Sequence, residues 1–238
     1  MNRVFILAAV VVLVCLTAHA GSVTLGTFSI NPQATFLNEG STDIAQSNVN
    51  ALFIALSSLT CPVSAIGCVT PTAGTQLDII ASGTECFTAN GTTCMSAAGQ
   101  LGGIFDANNT ELASSPNTSN FNRLPGSVPL GSSNSGISSI VDPFLNINHT
   151  ETAQNIPTDI PNDFFIPGGA GITVIVPNGS VYFVMGVLDS LFWDDSGNPT
   201  ITINEIFQSP PAVPEPATLG LLGAGLLGLA AFRRYRTR

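Results

Sequence analysis

Two apolar runs, one at each end of the chain, constrain the fold before anything else does. Val4 to Leu16 carries no charge and follows Asn2 and Arg3, while Ala217 to Phe232 is equally uncharged and runs into Arg233, Arg234, Tyr235, Arg236, Thr237 and Arg238. A water-soluble helix needs a polar face, and one rarely starts at the first residue without it. The first run closes on Thr17, Ala18, His19 and Ala20, which is the layout of a cleavable secretion signal: charged start, apolar centre, A-x-A end. Signal peptidase takes small side chains one and three positions before the cut, so Ala18 and Ala20 place the first mature residue at Gly21. Cys15 raises a lipoprotein signal as the alternative, but bulky Val14 stands where that signal wants Gly or Ala.

The second run is 16 residues long, so as a helix it spans about 24 Å, against roughly 30 Å of hydrocarbon core. Snorkelling arginines and the apolar Val213 flank are expected to cover the difference. Gly220, Gly223, Gly225 and Gly228 weaken a helix in water but are tolerated in lipid, where they allow close packing. Arg233, Arg234, Arg236 and Arg238 are a membrane stop that stays cytoplasmic by the positive-inside rule. The expected plan is a signal peptide over 1–20, an exported domain over 21–208, a linker over 209–216, a transmembrane segment over 217–232 and a basic cytoplasmic tail over 233–238.

Charge supports this topology. All six basic residues are arginines, and only Arg123 lies between the two apolar ends, against all 15 acids. Such a surface repels phosphate backbones, which excludes nucleic acid as a partner. It suits solubility, divalent cations or neutral sugars.

Four cysteines remain after signal removal: Cys61, Cys68, Cys86 and Cys94. An even number outside the cytoplasm favours two disulfides. Three connectivities are open, and the short spacings favour Cys61 with Cys68 and Cys86 with Cys94. No C-x-x-C spacing occurs, so a zinc site or thioredoxin-type chemistry has little support.

The texture of 21–208 is Gly, Ser, Thr, Asn and Pro punctuating short apolar runs, the pattern of an all-β domain. The clearest strands are Thr75 to Ala81, Gly171 to Val176, Val181 to Val187 and Thr200 to Ile206. In the last, Ile201, Ile203 and Glu205 point one way and Thr202, Asn204 and Ile206 the other. Pro177, Asn178 and Gly179 make a tight connection, which predicts that the second and third of these strands pair as a hairpin. Asn50 to Leu59 suits either a short helix or a strand. Asn108 to Asn134 reads as long surface loops. The expected architecture is an antiparallel β-sandwich resembling a jelly roll.

Catalytic signatures are absent. The mature stretch has no Lys, a single His at His149 and no G-x-S-x-G, H-E-x-x-H or phosphate-loop pattern. The expectation is therefore a non-enzymatic protein. Acids suit glycoside hydrolysis in principle, but the lone Trp193 makes a poor sugar cleft. The N-x-S/T matches at Asn90, Asn108, Asn117, Asn148 and Asn178 follow from loop composition.

Val213, Pro214, Glu215 and Pro216, followed by Ala217, Thr218, a Gly/Leu-rich span and a terminal Arg cluster, resemble the PEP-CTERM sorting domain. The resemblance covers about the last 25 residues. It implies recognition by an exosortase-type enzyme, anchoring in the envelope membrane, and delivery to the cell surface or exterior in bacteria that make exopolysaccharide and biofilm. Exosortase, signal peptidase, the membrane and matrix polysaccharide are the partners it implies.

A second resemblance concerns Val176 to Ile206, where a strand ends in Asp189, crosses Phe192 and Trp193, and turns through Asp194, Asp195, Ser196 and Gly197 into the next strand. This stretch, with Thr70 to Gly83, is similar to bacterial galactose-binding lectin-like sandwiches. It implies that Asp189, Asp194 and Asp195 hold calcium that a sugar completes, and that the domain is a calcium-dependent carbohydrate-binding module. Clustered carboxylates repel one another unless a cation or hydrogen bonds compensate, and calcium takes six to eight oxygens. The same acids also suit a plain Asx turn, and both alternatives stand at this point.

Overall fold

In the computed structural model of the protein the described residues are 20–36, 51–65, 67–86, 94–96, 101–112, 123–142, 156–157, 160, 163–188, 195–208 and 216–236. The chain divides into two compact units, one of Ser22–Phe207 and one of Met1–Gly21 with Gln208–Arg238.

The first unit is built of β-strands: β1 (Ala20–Ser29), β2 (Leu52–Ala55), β3 (Gln76–Ser82), β4 (Thr84–Cys86), β5 (Cys94–Ser96), β6 (Leu101–Asp106), β7 (Val141–Asp142), β8 (Ile156–Pro157), β9 (Phe164–Ile166), β10 (Ile172–Ile175), β11 (Tyr182–Val187), β12 (Ser196–Gly197) and β13 (Thr200–Gln208). One four-stranded sheet has the order β1-β13-β3-β10 and another β2-β11-β6-β9. A three-stranded sheet, β12-β4-β5, and the pair β7-β8 are the other sheets among the described residues. Antiparallel pairing joins β3 to β10 and β13, and β11 to β2 and β6.

Strand periodicity explains how the two large sheets share a core. In β3, Leu77, Ile79 and Ala81 are fully buried while their neighbours are not, as side chains alternating across a pleat require. With Ile201 and Ile203 of β13 they join one buried cluster that also holds Leu101 and Phe105 of β6 and Phe183, Met185 and Val187 of β11. The other face of the second sheet is covered too, because Ile104 and Val184 belong to a separate cluster with Phe36, Leu124, Ile140 and Leu188. Each large apolar side chain sealed in this way contributes about 1.5–3 kcal/mol. Close approach demands glycine in the middle of β6. A Cβ on Gly102 would lie 2.6 Å from Leu188 Cδ2, and one on Gly103 2.8 Å from Phe164 Cζ.

The predicted strands form, but β10 and β11 are not hairpin partners. β10 pairs with β3 and β11 with β2 and β6, so Pro177, Asn178 and Gly179 carry the chain from one sheet to the other. Burial gives the reason. Five of the six residues of β11 are buried on both faces, so it needs cover on two sides, whereas β10 has one exposed residue, Thr173. Hydrogen bonds hold the crossing at each end: Val176 N–H donates to Thr75 O, and Val181 N–H to Asp106 O.

Two other segments, one left open between helix and strand and one read as surface loops, take definite form. Asn50 to Leu59 resolves into β2 followed by a 3-10 turn at Leu56–Ser58. Within Asn108 to Asn134, Arg123, Leu124, Leu130 and Asn134 are buried. The Asn134 amide acts as a brace: its Nδ2 donates to Leu130 O and Ile175 O, and its Oδ1 accepts from Ile175 N–H. Composition hid this, because a polar side chain is buried readily once the backbone supplies partners.

Candidate functional site

The sorting region opens on a helix, α1 (Pro216–Tyr235). Pro216 suits a first helical position because the N–H it lacks would have no intrahelical partner there. Arg233 and Arg234 lie in the last turn, where positive charge complements the helix dipole. Val213, Pro214, Glu215 and Arg238 lie outside the described residues, as do Ala18 and the rest of the signal sequence up to His19. Ala20 and Gly21, which flank the expected cut, open β1.

The expectation of a transmembrane helix over 217–232 needs correction. The segment is helical, but among the described residues no helix is long and apolar enough to cross a membrane. The physical reason is length and dilution: the uncharged run ends at Arg233 after about 24 Å of rise, and four glycines and Thr218 interrupt its leucines.

The disulfides are Cys61–Cys68 and Cys86–Cys94, the pairing that short spacing favours. Each closes a loop with a distinct job. The first presents Val69, whose N–H donates to both carboxylate oxygens of Glu205 at 2.9 and 3.2 Å. Glu205 is buried at the inward position that Ile201 and Ile203 share, so this loop is what satisfies an acid in the core row. Cys61, Cys68 and Glu205 bring three potential ligand atoms within 4.8 Å, but the two sulfurs are bonded to each other and offer no thiolate. The second disulfide joins β4 to β5 at the register pair Cys86–Cys94.

Of the acids assigned to calcium, Asp189 and Asp194 lie outside the described residues. Asp195 is buried, and its backbone carbonyl accepts a hydrogen bond from Gln33 Nε2 at 3.3 Å. The turn after it is pinned by β12, where Ser196 pairs with Cys86 and Gly197 with Glu85. Only glycine fits at 197: its φ is +126°, and a Cβ there would lie 2.2 Å from Thr84 O. Sequence reasoning missed Glu85, a second buried acid beside this turn. The two-residue alternation through Thr84–Cys86 is too short a signal to have revealed it.

Sequence reasoning also missed a buried group that bonds to several segments. Arg123 lies with Glu111 in a buried ion pair, Nη2 to Oε1 2.9 Å, while its Nε donates to Leu112 O and its Nη1 to Thr35 O. Glu111 Oε2 accepts from Ala51 N–H. Burial pushes the Glu111 carboxyl above its ordinary range, with Arg123 and the Ala51 N–H opposing. Asp106 is raised for the same first reason, against hydrogen bonds from Asn108 and Ala107.

A family model described as the PEP-CTERM protein-sorting motif matches residues 212–234. The chain thus carries a PEP-CTERM sorting signal, the class of element that marks an exported substrate of an exosortase-type enzyme. No curated protein and no solved structure matches the chain.

Proposed function

We propose that this protein is a non-enzymatic surface protein, exported by its N-terminal signal, held at the envelope membrane through its sorting tail and released or transferred there by an exosortase-type enzyme. The observation that carries this reading is the sorting motif over residues 212–234. The exported unit is a β-sandwich in this reading, its two four-stranded sheets contributing to one buried cluster and its loops stapled by two disulfides. Such a body suits a stable component of an exopolysaccharide or biofilm matrix. The alternative is a calcium-dependent carbohydrate-binding module built on Asp189, Asp194 and Asp195.

Mass spectrometry of protein from a host that makes it tests the processing. Gly21 is expected as the first residue, with the span after Val213–Pro216 lost. A mature protein that keeps 217–238 intact overturns the exosortase reading.

A further inference from the structure

The ends of the β unit lie together. Thr24 Oγ1 donates to Asn204 Oδ1, and Thr27 and Thr202 hydroxyls meet at 3.2 Å, so β1 and β13, neighbours in one sheet, run antiparallel. The start of β1 and the end of β13 therefore share one end of the sheet. Ile206 pairs with Gln76 at the start of β3, and Gln76 in turn with Ile175 at the end of β10. The short crossing from β10 to β11 brings Val181 and the starting residue Tyr182 to the same end.

This end stands out among the described surface of the unit. Val63, Val69 and Val181 are three of the four exposed large apolar residues described in the unit. Val63 is fully exposed within the loop closed by Cys61–Cys68, and Val69 and the loop are tied to Glu205, three residues before β13 ends. Val181 O accepts from Leu56 N–H, which joins it to the turn leading into that loop. The charge pattern is as telling. In a chain with 15 acids, residues 56–77 and 172–188 have none, nor do 20–29 and 206–212. Of the acids near this end, Glu205 and Asp106 are buried and Asp78, one step further along β3, is half-buried.

We infer that this uncharged, valine-bearing end is a lipid-docking surface, on which the β unit rests against the membrane while the sorting tail is attached. The inference rests on the tether of the proposed function. Its occupant is lipid because β13 ends at Gln208, only seven residues before Pro216 opens the sorting helix. A chain of that length reaches about 25 Å at most, which keeps this end near the bilayer. An acidic protein is repelled by anionic headgroups, and the burial or half-burial of the acids described here lowers that penalty where contact would occur. Exposed valines at such a surface gain by leaving water.

The test uses the tail-bearing chain with vesicles of phosphatidylethanolamine and phosphatidylglycerol. Flotation reads the tether, and amide hydrogen exchange reads the docking, compared before and after the chain is cut free between Gln208 and Pro216. Docking predicts exchange at least several-fold slower over 61–69 and 178–181 in the tethered state, with Gly83 and 196–199 at the opposite end unchanged. Val63→Asp with Val69→Asp should abolish that protection with both disulfides still formed. A chain that does not float overturns the tether and the docking with it. A chain that floats with equal exchange in both states, or whose protection survives both substitutions, overturns the docking alone.

Discussion

Arg123 lies 2.9 Å from Glu111, with both side chains only 5% exposed, so the one basic residue between the chain's apolar ends is spent inside the protein. It ties three separated segments together, because the same guanidinium holds Leu112 O and Thr35 O and Glu111 holds Ala51 N–H. Removing one partner strands a buried charge, which typically costs about 3–5 kcal/mol. Arg123→Met is expected to lose that much in urea unfolding. Replacing both residues by apolar ones of similar size, Arg123→Met with Glu111→Leu, should recover most of the loss.

Asp106 and Glu111 make stability depend on pH in an unusual direction. Burial raises both carboxyls, so between the ordinary carboxylate range and the raised folded value the native state binds more protons than the unfolded one. Stability then falls as pH rises through that window. Each contribution is fully present below the ordinary carboxylate value and gone above the folded one. Asp106→Asn keeps an acceptor for Asn108 N–H and loses the titration. Unfolding free energies of the two proteins across mildly acidic pH should show a shallower decline for the variant.

The two disulfides close loops of similar size, with separations of 7 and 8 residues, and chain entropy assigns each about 2.5 kcal/mol. Their losses should nevertheless differ. Cys61→Ser with Cys68→Ser also frees Val69 from the buried Glu205 carboxylate, and leaving such an acceptor unsatisfied adds about 1–3 kcal/mol. Thermal unfolding should rank this pair as the costlier one, and Glu205→Gln should shrink the excess. Peptide mapping without reductant should find all four cysteines blocked.

Calcium separates the two functional readings. If Asp189, Asp194 and Asp195 hold the ion, calcium at a hundredfold above its dissociation constant stabilises the native state by about 2.7 kcal/mol. Asp194→Asn with Asp195→Asn should reduce that gain while the fold persists. Thermal melts and calorimetry that do not respond to millimolar calcium leave the acids as a turn and the carbohydrate-binding alternative without its ligand.

Local pattern was enough to place the sorting motif and the strands. The PEP motif is linear, so its recognition needed no fold, and the alternation of Ile201, Ile203 and Glu205 shows on its own which side of β13 faces inward. Short cysteine spacing sufficed for the disulfides, since nearby residues meet with little loop entropy. Pairing between sheets was a different matter. Pro177-Asn178-Gly179 suits a hairpin and a crossing between sheets equally well, and the choice fell to β11's need for cover on both faces. The partners of Arg123 and Glu205 were equally illegible, because Thr35, Glu111 and Val69 stand far from them in sequence. Sequence alone determined what repeats every second residue or reads in a line. Tertiary structure decided which buried charge meets which partner and which valines share one end of the β unit, because those contacts exist only once distant strands have packed.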